Sequence, residues 1–464
     1  MKDYLRKYIS LSEDYTLKGS EEKQFLFSLK IPGNKFFLTE EQFDFLCMCN
    51  GQKTVNNLLN NYEKESRQNI YSFIENLINI DAVCFNSFSC EKILEKKSVK
   101  EPRLQAVHFE ITNNCNMNCL HCYHGEKLNS KEDLPFAKIH DLIKEMKKLQ
   151  VEIVAIGGGE PLCRKDVFDI MDLIEENEMR ISAFFTNGSL ITNTIVDRLK
   201  KYRSHFAVYV SLDTFDPNGM IFRGFNEETG KSVLDKVING IKILVNAEIP
   251  VIINTVVNKY NINQLSKMYD FIRDLKVKSW RIGFPKRTGS FKKNMEKIEE
   301  SWEEIAKACL SILQQHLEIG RPFHIQIEYL YREELFANFE ELSDNSFVCD
   351  YELRREGCCI KPDGNVVSCA YCTDIPIGNI CIDSLEKIWY SPSMQSVKNI
   401  RVCDVKECHD CPMKSICGTG CRINAYFLHK DFLNAKDDYA CAAIKFFIEK
   451  VKPLLKKYDI ISLI

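Results

Sequence analysis

The sequence predicts an α/β protein: a parallel sheet with outer helices, curled as a partial (β/α)6 TIM-like barrel. A small domain precedes it and a cysteine-rich domain follows it. Three observations lead there. Strand and helix signals alternate through residues 104–315, each unit spanning roughly 30 residues. The first ~95 residues carry their own strand, turn and helix signals. More than half of the chain's 21 cysteines lie from Cys349 onward.

Within residues 1–95, FLFSLKI and KFFL read as strands around the turn Pro32-Gly33-Asn34. Thr39 to Gln42 (TEEQ) is a capping box opening a helix with Phe43, Leu46 and Cys47 on one face. Thr54 caps a second helix carrying Val55, Leu58 and Leu59, and a third carries Ile70, Phe73, Ile74 and Leu77. AVCF closes the unit with a strand. This is a winged-helix arrangement. Residues 1–90 hold 12 acidic and 10 basic side chains, a poor balance for phosphate contact. Peptide capture along an exposed strand edge fits better.

Residues 96–103 (KKSVKEPR) read as a charged linker. The barrel strands that follow are AVHFEI, IVAIGG, ISAFFT, FAVYVSLD, VIINTVV and WRIGF, short and rich in β-branched or aromatic residues. Amphipathic stretches such as KIHDLIKEMKKL and VLDKVINGIKILV lie between them. Active sites of such sheets sit at the carboxyl ends of the strands. Residues 290–345 read as helical, and 316–348 as a bridge to the last domain, 349–464.

Net charge is −3 and the isoelectric point is near 6.4, so the whole chain makes no case for nucleic-acid or anionic-membrane binding. No apolar stretch approaches the ~20 residues of a membrane span. The start, MKDYLRKYISLSEDY, lacks an apolar signal core, so a cytoplasmic location is expected. Abundant cysteine in a large cytoplasmic chain favours metal sites over disulfides. Cys47, Cys49, Cys84, Cys90, Cys163 and Cys309 are scattered and read as buried small hydrophobes.

The chemistry concentrates after the first barrel strand. Cys115, Cys119 and Cys122 sit in NNCNMNCLHCYH with the spacing C-x3-C-x2-C. Three thiolates so close are too many for a disulfide and too few for a four-ligand metal site. They can hold three irons of a [4Fe–4S] cluster and leave the fourth open. The flanking Asn113, Asn114, Asn116 and Asn118 read as a loop, not as a core helix.

The cysteine loop, the strand order and the motifs below resemble the radical S-adenosylmethionine (SAM) superfamily. That resemblance implies that the three thiolates hold the cluster and that SAM chelates the open iron. It further implies that an electron from the cluster cleaves SAM to a 5′-deoxyadenosyl radical, which abstracts a substrate hydrogen. Gly157-Gly158-Gly159-Glu160-Pro161 ends the second strand. Glycines there allow close backbone approach to a ligand, and Glu160 is placed to accept from the SAM ammonium. Ser211 and Asp213 end the fourth strand, and Arg223 follows with a guanidinium suited to a carboxylate. In relatives these positions contact the ribose and carboxylate of SAM. Asn187, in Thr186-Asn187-Gly188 at the third strand end, is a further candidate. His121 occupies the position that relatives place against the adenine, and Tyr123 reads as core.

Cys408-x2-Cys411-x5-Cys417-x3-Cys421 is followed by Cys441, and Cys349 precedes Gly364-x4-Cys369. The set resembles the seven-cysteine SPASM extension, which binds two auxiliary clusters. A zinc site on Cys408, Cys411, Cys417 and Cys421 would leave Cys349, Cys369 and Cys441 unexplained. By the family pattern, Cys408, Cys411, Cys417 and Cys441 hold an outer [4Fe–4S] cluster, and Cys349, Cys369 and Cys421 an inner one. The expectation for the inner cluster's fourth position is an iron open to a substrate thiolate. Cys358, Cys359 and Cys372 are the alternatives nearby.

Residues 1–95 resemble the leader-peptide recognition domains of ribosomal peptide-modifying enzymes. The combination resembles maturases of ribosomally made peptides, and the expected reaction is thioether formation between a cysteine sulfur and a carbon of an acceptor residue. Implied partners are a precursor peptide and an electron donor such as flavodoxin or ferredoxin. Carbon–carbon or carbon–oxygen crosslinking on the same scaffold is the first alternative. Sulfatase maturation is disfavoured because Ala370 stands where those relatives carry an acidic residue. A winged-helix iron–sulfur regulator would leave the glycine-rich turn Gly157-Gly158-Gly159, Ser211 and Arg223 without a role.

Overall fold

The computed structural model describes residues 3–20, 22–89, 99–332, 342–349 and 355–460. The linker through residue 98 and Cys90 lie outside the described residues. Six strands and three helices build the first unit: β1 (Tyr8–Leu11), β2 (Tyr15–Gly19), β3 (Gln24–Ser28), β4 (Lys35–Leu38), α1 (Glu40–Met48), β5 (Asn50–Thr54), α2 (Val55–Leu59), α3 (Lys64–Asn79) and β6 (Val83–Asn86). Thr39 accepts from the Gln42 amide and Gln42 reaches back to the Thr39 backbone, completing the capping box. The antiparallel sheet β2–β3–β4 is the wing, and a second sheet has the order β5–β1–β6. β1, β2 and β5 were not legible in the sequence. β1 and β2 lack period-two alternation because nearly all their side chains are buried.

The barrel wall follows: β7 (Ala106–Glu110), α4 (Phe136–Lys148), β8 (Ile153–Gly157), α5 (Val167–Glu176), β9 (Arg180–Thr186), α6 (Asn193–Leu199), β10 (Ala207–Ser211), α7 (Glu227–Asn246), β11 (Val251–Val256), α8 (Leu265–Asp274) and β12 (Ser279–Gly283). All six strands read from the sequence form in order and pair in parallel. α4 buries Ile139, Leu142, Ile143 and Met146, the i, i+3, i+4, i+7 stripe that holds a helix on a sheet. In β7, Val107 and Phe109 are buried in the core, which leaves His108 and Glu110 on the opposite face.

Residues 290–345 are not wholly helical. After α9 (Phe291–Ile298) and α10 (Trp302–Glu318), β13 (His324–Ile327) joins β12 in parallel and β14 (Tyr331–Arg332) turns back on it. HIQI is half polar, so its strand character comes from pairing, not from its own pattern. The sheet also grows at the other edge. β15 (Gly357–Ile360) pairs in parallel with β7, and β16 (Asn365–Val367) and β17 (Gly378–Asn379) continue it antiparallel. The result is one open 11-stranded sheet, ordered β14-β13-β12-β11-β10-β9-β8-β7-β15-β16-β17, shared by the barrel and the cysteine-rich region.

Among the described residues, no helix is long and apolar enough to cross a membrane.

Candidate active site and metal centres

The loop after β7 carries Cys115, Cys119 and Cys122 and is docked onto the loop after β8. The Gly159 amide donates to the Thr112 carbonyl at 2.7 Å and the Glu160 amide to the Asn114 carbonyl at 2.8 Å. Gly158 has φ +138°, and a Cβ there would meet the Thr112 carbonyl oxygen at 2.6 Å; one on Gly159 would meet that of Asn114 at 2.5 Å. These two glycines thus clear space for the cysteine loop itself. A Cβ on Gly157 would meet His108 Nε2 at 2.9 Å.

Glu160 is fully buried and joins the ends of β8 and β9. It accepts from the Asn187 amide at 2.6 Å, Thr186 Oγ1 at 2.9 Å and the Leu162 amide at 3.2 Å. Burial pushes its carboxyl up to about 7, with those donors opposing. Asn187 Nδ2 donates to Asn116 Oδ1 at 2.8 Å and faces Cys115 Sγ at 4.0 Å, so the third strand end also braces the cysteine loop.

Ser211 ends β10, half-buried. Beyond it, Asp213 and Arg223 form a buried ion pair at 2.6 Å. Asp213 also accepts from the Val256 amide at 2.7 Å, and Arg223 Nη1 faces Cys119 Sγ at 3.7 Å. Burial alone would lower the Arg223 pKa, but Asp213 and Cys119 beside it hold the guanidinium firmly charged. His121 lies flat on Phe222, centroids 4.1 Å apart at 1°, with Nδ1 buried and unpaired. Burial and Arg223 hold that ring neutral.

One group in the interior, centred on Glu110 and Lys361, was missed by sequence reasoning. Glu110, fully buried, takes Lys361 Nζ on both carboxylate oxygens at 2.9 Å. It also accepts from Tyr123 Oη at 3.0 Å, and Cys359 Sγ lies 3.6 Å away. Lys361 passes a third bond to the Ala370 carbonyl at 2.7 Å. Tyr123, read as core, therefore ties the cysteine loop to the C-terminal region, and its ring packs edge-on to Tyr371. The signal that was available is a charged residue closing the otherwise apolar strand AVHFE.

The C-terminal cysteines gather into two groups. Cys417 lies within electrostatic reach of Cys441, Cys408 and Cys411. Cys421 lies within reach of Cys349 and Cys369. Cys358, opposite Val107 in the parallel register, is packed in the main core; Cys359, opposite His108, is on the Glu110 side.

Residues 109–272 match the Radical SAM superfamily, and residues 349–412 match SPASM, an iron–sulfur cluster-binding domain. The AdoMet-dependent heme synthase of Methanosarcina barkeri is 27% identical over 353 residues, covering 72% of this chain and 94% of that protein. The antilisterial bacteriocin subtilosin biosynthesis protein AlbA of Bacillus subtilis is 24% identical over 400 residues, covering 81% of this chain and 82% of that one. Among solved structures, Streptococcus suis SuiB bound to its precursor peptide SuiA superposes with a TM-score of 0.67 at 18% identity. That superposition covers 93% of this chain and 99% of SuiB.

A radical SAM domain brings SAM and a [4Fe–4S] cluster; a SPASM domain brings auxiliary iron–sulfur clusters. The residues fit those groups. Burial pushes the Cys115 thiol up to about 12 and the Cys122 thiol to about 11, and raises that of Cys119. Burial disfavours a bare thiolate at these sulfurs, so a bound metal's positive charge would be what holds them ionised. Donors already face the sulfurs: the Met117 amide at 3.4 Å from Cys115 Sγ, and Arg223 at Cys119. Among the described residues, the only three-residue group with ligand atoms within 4.8 Å of one another is His108, Glu110 and Cys359. The loop cysteines are spread wider, as ligands of separate irons are, and Lys361 on Glu110 excludes a cation from the tighter group.

Proposed function

We propose that this chain, a radical SAM enzyme with a SPASM domain, crosslinks a ribosomally made precursor peptide by joining a cysteine sulfur to a carbon of an acceptor residue. One observation carries the reading: the N-terminal unit presents a free sheet edge beside a radical SAM core. Among the described residues β4 pairs only with β3, and its Phe37 is exposed. Extended peptides add to such edges by backbone hydrogen bonds. SuiB was solved with its precursor peptide and superposes over 93% of this chain, including that unit. The heme synthase match covers 72% of the chain. A tetrapyrrole reading therefore gives part of the molecule no work.

When bound, the cluster and SAM supply hydrogen-atom abstraction from an unactivated C–H bond. The chain's own side chains bind and orient. The Arg223–Asp213 pair sets a fixed cation beneath the cysteine loop, and neutral His121 on Phe222 offers a flat apolar face with one nitrogen free for hydrogen bonding. Glu160 and Asn187 hold that loop to the neighbouring strand ends. The peptide's leader lies along β4 and its core enters at the carboxyl ends of the strands. Each ring forms one C–S bond and removes two hydrogens: the C–H hydrogen would leave as an atom to the SAM-derived radical, and the S–H hydrogen as a proton, with its electron passed to an auxiliary cluster. An external donor such as flavodoxin or ferredoxin supplies the reducing electron, and the work is cytoplasmic, where thiols stay reduced.

The test is to incubate anaerobic, reduced enzyme with SAM and cysteine-containing peptides encoded beside its gene, then weigh the product. A loss of two hydrogens per crosslink is expected. Unchanged peptide mass while SAM is still cleaved overturns the reading. Replacing Cys115, Cys119 and Cys122 together by Ala abolishes SAM cleavage and leaves peptide binding by residues 1–95 intact.

A further inference from the structure

We infer that Cys372 is the fourth protein ligand of the inner auxiliary cluster, joining Cys349, Cys369 and Cys421, so that this cluster has no iron open to substrate. The inference rests on the auxiliary-cluster assignment above. It replaces the open iron expected from the sequence.

Three observations carry it. First, Cys369-x2-Cys372 repeats the spacing of Cys119-x2-Cys122 and Cys408-x2-Cys411, and all three pairs share one turn. The second cysteine's amide donates to the first one's carbonyl at 2.9 Å in Cys372, 3.1 Å in Cys122 and 3.1 Å in Cys411. That turn sets two sulfurs on one side of the backbone, as a metal pair needs. Second, the thiols converge. Cys372 is 1% exposed and its thiol hydrogen-bonds to that of Cys369. Both lie within reach of Cys421, which in turn reaches Cys349. Of the other two candidates, Cys358 packs into the main core, while Cys359 shares the buried cluster of Cys369, Cys372 and Cys421 but sets its Sγ 3.6 Å from Glu110 and lacks the C-x2-C turn.

Third, cations are buried beside the group. A cube with four thiolates carries one more negative charge than a cube with three, and buried negative charge needs buried cations. Lys398, nearly fully buried, donates to the Ser368 carbonyl at 2.8 Å and lies near Cys358 first, then Cys369, Cys349 and Cys372. Lys361, already paired with Glu110, also bonds the Ala370 carbonyl beside Cys369. Lys286, paired with Glu328, lies near Cys421. As the iron–sulfur bond forms, the Cys372 thiol proton leaves to solvent; no electron moves. A closed cluster of this kind can pass electrons but cannot hold a substrate thiolate.

The experiment uses full-length protein with Cys115, Cys119 and Cys122 replaced by Ala, reconstituted anaerobically, so that only the auxiliary clusters remain. About eight irons per chain are expected, two cubes' worth. The reduced spin-resonance spectrum should stay unchanged on adding cyanide or a small thiol. Adding Cys372→Ser should change the inner-cluster signal and make it cyanide-sensitive, or lower iron to about four per chain. Cys358→Ala should leave the spectrum as it was. A background spectrum that shifts with cyanide, or one that Cys372→Ser leaves unaltered, overturns the inference and spares the cluster assignment. Only about four irons in the background protein would instead overturn the auxiliary-cluster assignment itself, and the inference with it.

Discussion

Gly159 shows how far a single residue constrains this site. A methyl group there would sit 2.5 Å from the Asn114 carbonyl oxygen and 2.9 Å from that of Asn113. Both obstacles are backbone, so neither can swing away. Gly159→Ala is expected to cost about 1–3 kcal/mol and to act mainly on the cysteine loop. Iron at Cys115, Cys119 and Cys122 should fall while the auxiliary spectrum persists; equal loss at all clusters would argue for general unfolding. The three loop cysteines were legible because their spacing is local and their neighbours are polar. The glycines' part in docking the two loops was not, since a close approach between two loops leaves no mark on either one alone.

At the scale of elements, the join between β7 and β15 matters most. Parallel pairing sets Cys359 opposite His108 and brings Lys361 onto Glu110. Burial alone would raise the Glu110 pKa, but Lys361, His124 and His108 pull it down to about 2. Its folded pKa thus lies below the unfolded value, so the stabilisation is complete above about pH 4.5 and is lost as pH falls toward 2, amounting to about 3 kcal/mol. In melts of metal-free protein this acid sensitivity should shrink in Glu110→Gln. That single change strands a buried ammonium and should cost about 3–5 kcal/mol. Combining it with Lys361→Met should recover more than half of the loss, and a cycle showing simple additivity would mean the pair is not coupled. The six barrel strands were readable because each is a short apolar run between amphipathic helices. HIQI was not, because its partner β12, not its own composition, makes it a strand.

Across the whole molecule, the β4 edge proposed to take the leader and the cysteine-loop site lie at opposite ends of the barrel wall. The wing docks where strands begin: Lys18 Nζ donates to the Val151 carbonyl at 2.8 Å, the Gly19 amide to Gln150 Oε1 at 2.7 Å, and Lys35 pairs with Glu152 at 2.9 Å. The cysteine loop begins where β7 ends. Five residues of strand separate the two levels, or about 17 Å. A leader held on β4 therefore needs a spacer of at least about five extended residues before the first modified position. Shortening that spacer stepwise should abolish crosslinking below this length while leaving peptide affinity unchanged. Crosslinking that persists with no spacer would place the leader elsewhere.

Sequence alone determined which segments are strands of the wall, where the three-cysteine loop sits, and which cysteines have metal-ligand spacing. These are local properties, set by side-chain periodicity and by residues a few positions apart. Tertiary structure decided what spacing cannot carry. Glu110 and Lys361 are joined across 251 positions of chain, Cys349, Cys369, Cys372 and Cys421 meet in one group, and the cysteine-rich region extends the barrel's own sheet. Pairing between distant segments depends on the packing of everything between them, so no pattern within either segment announces it.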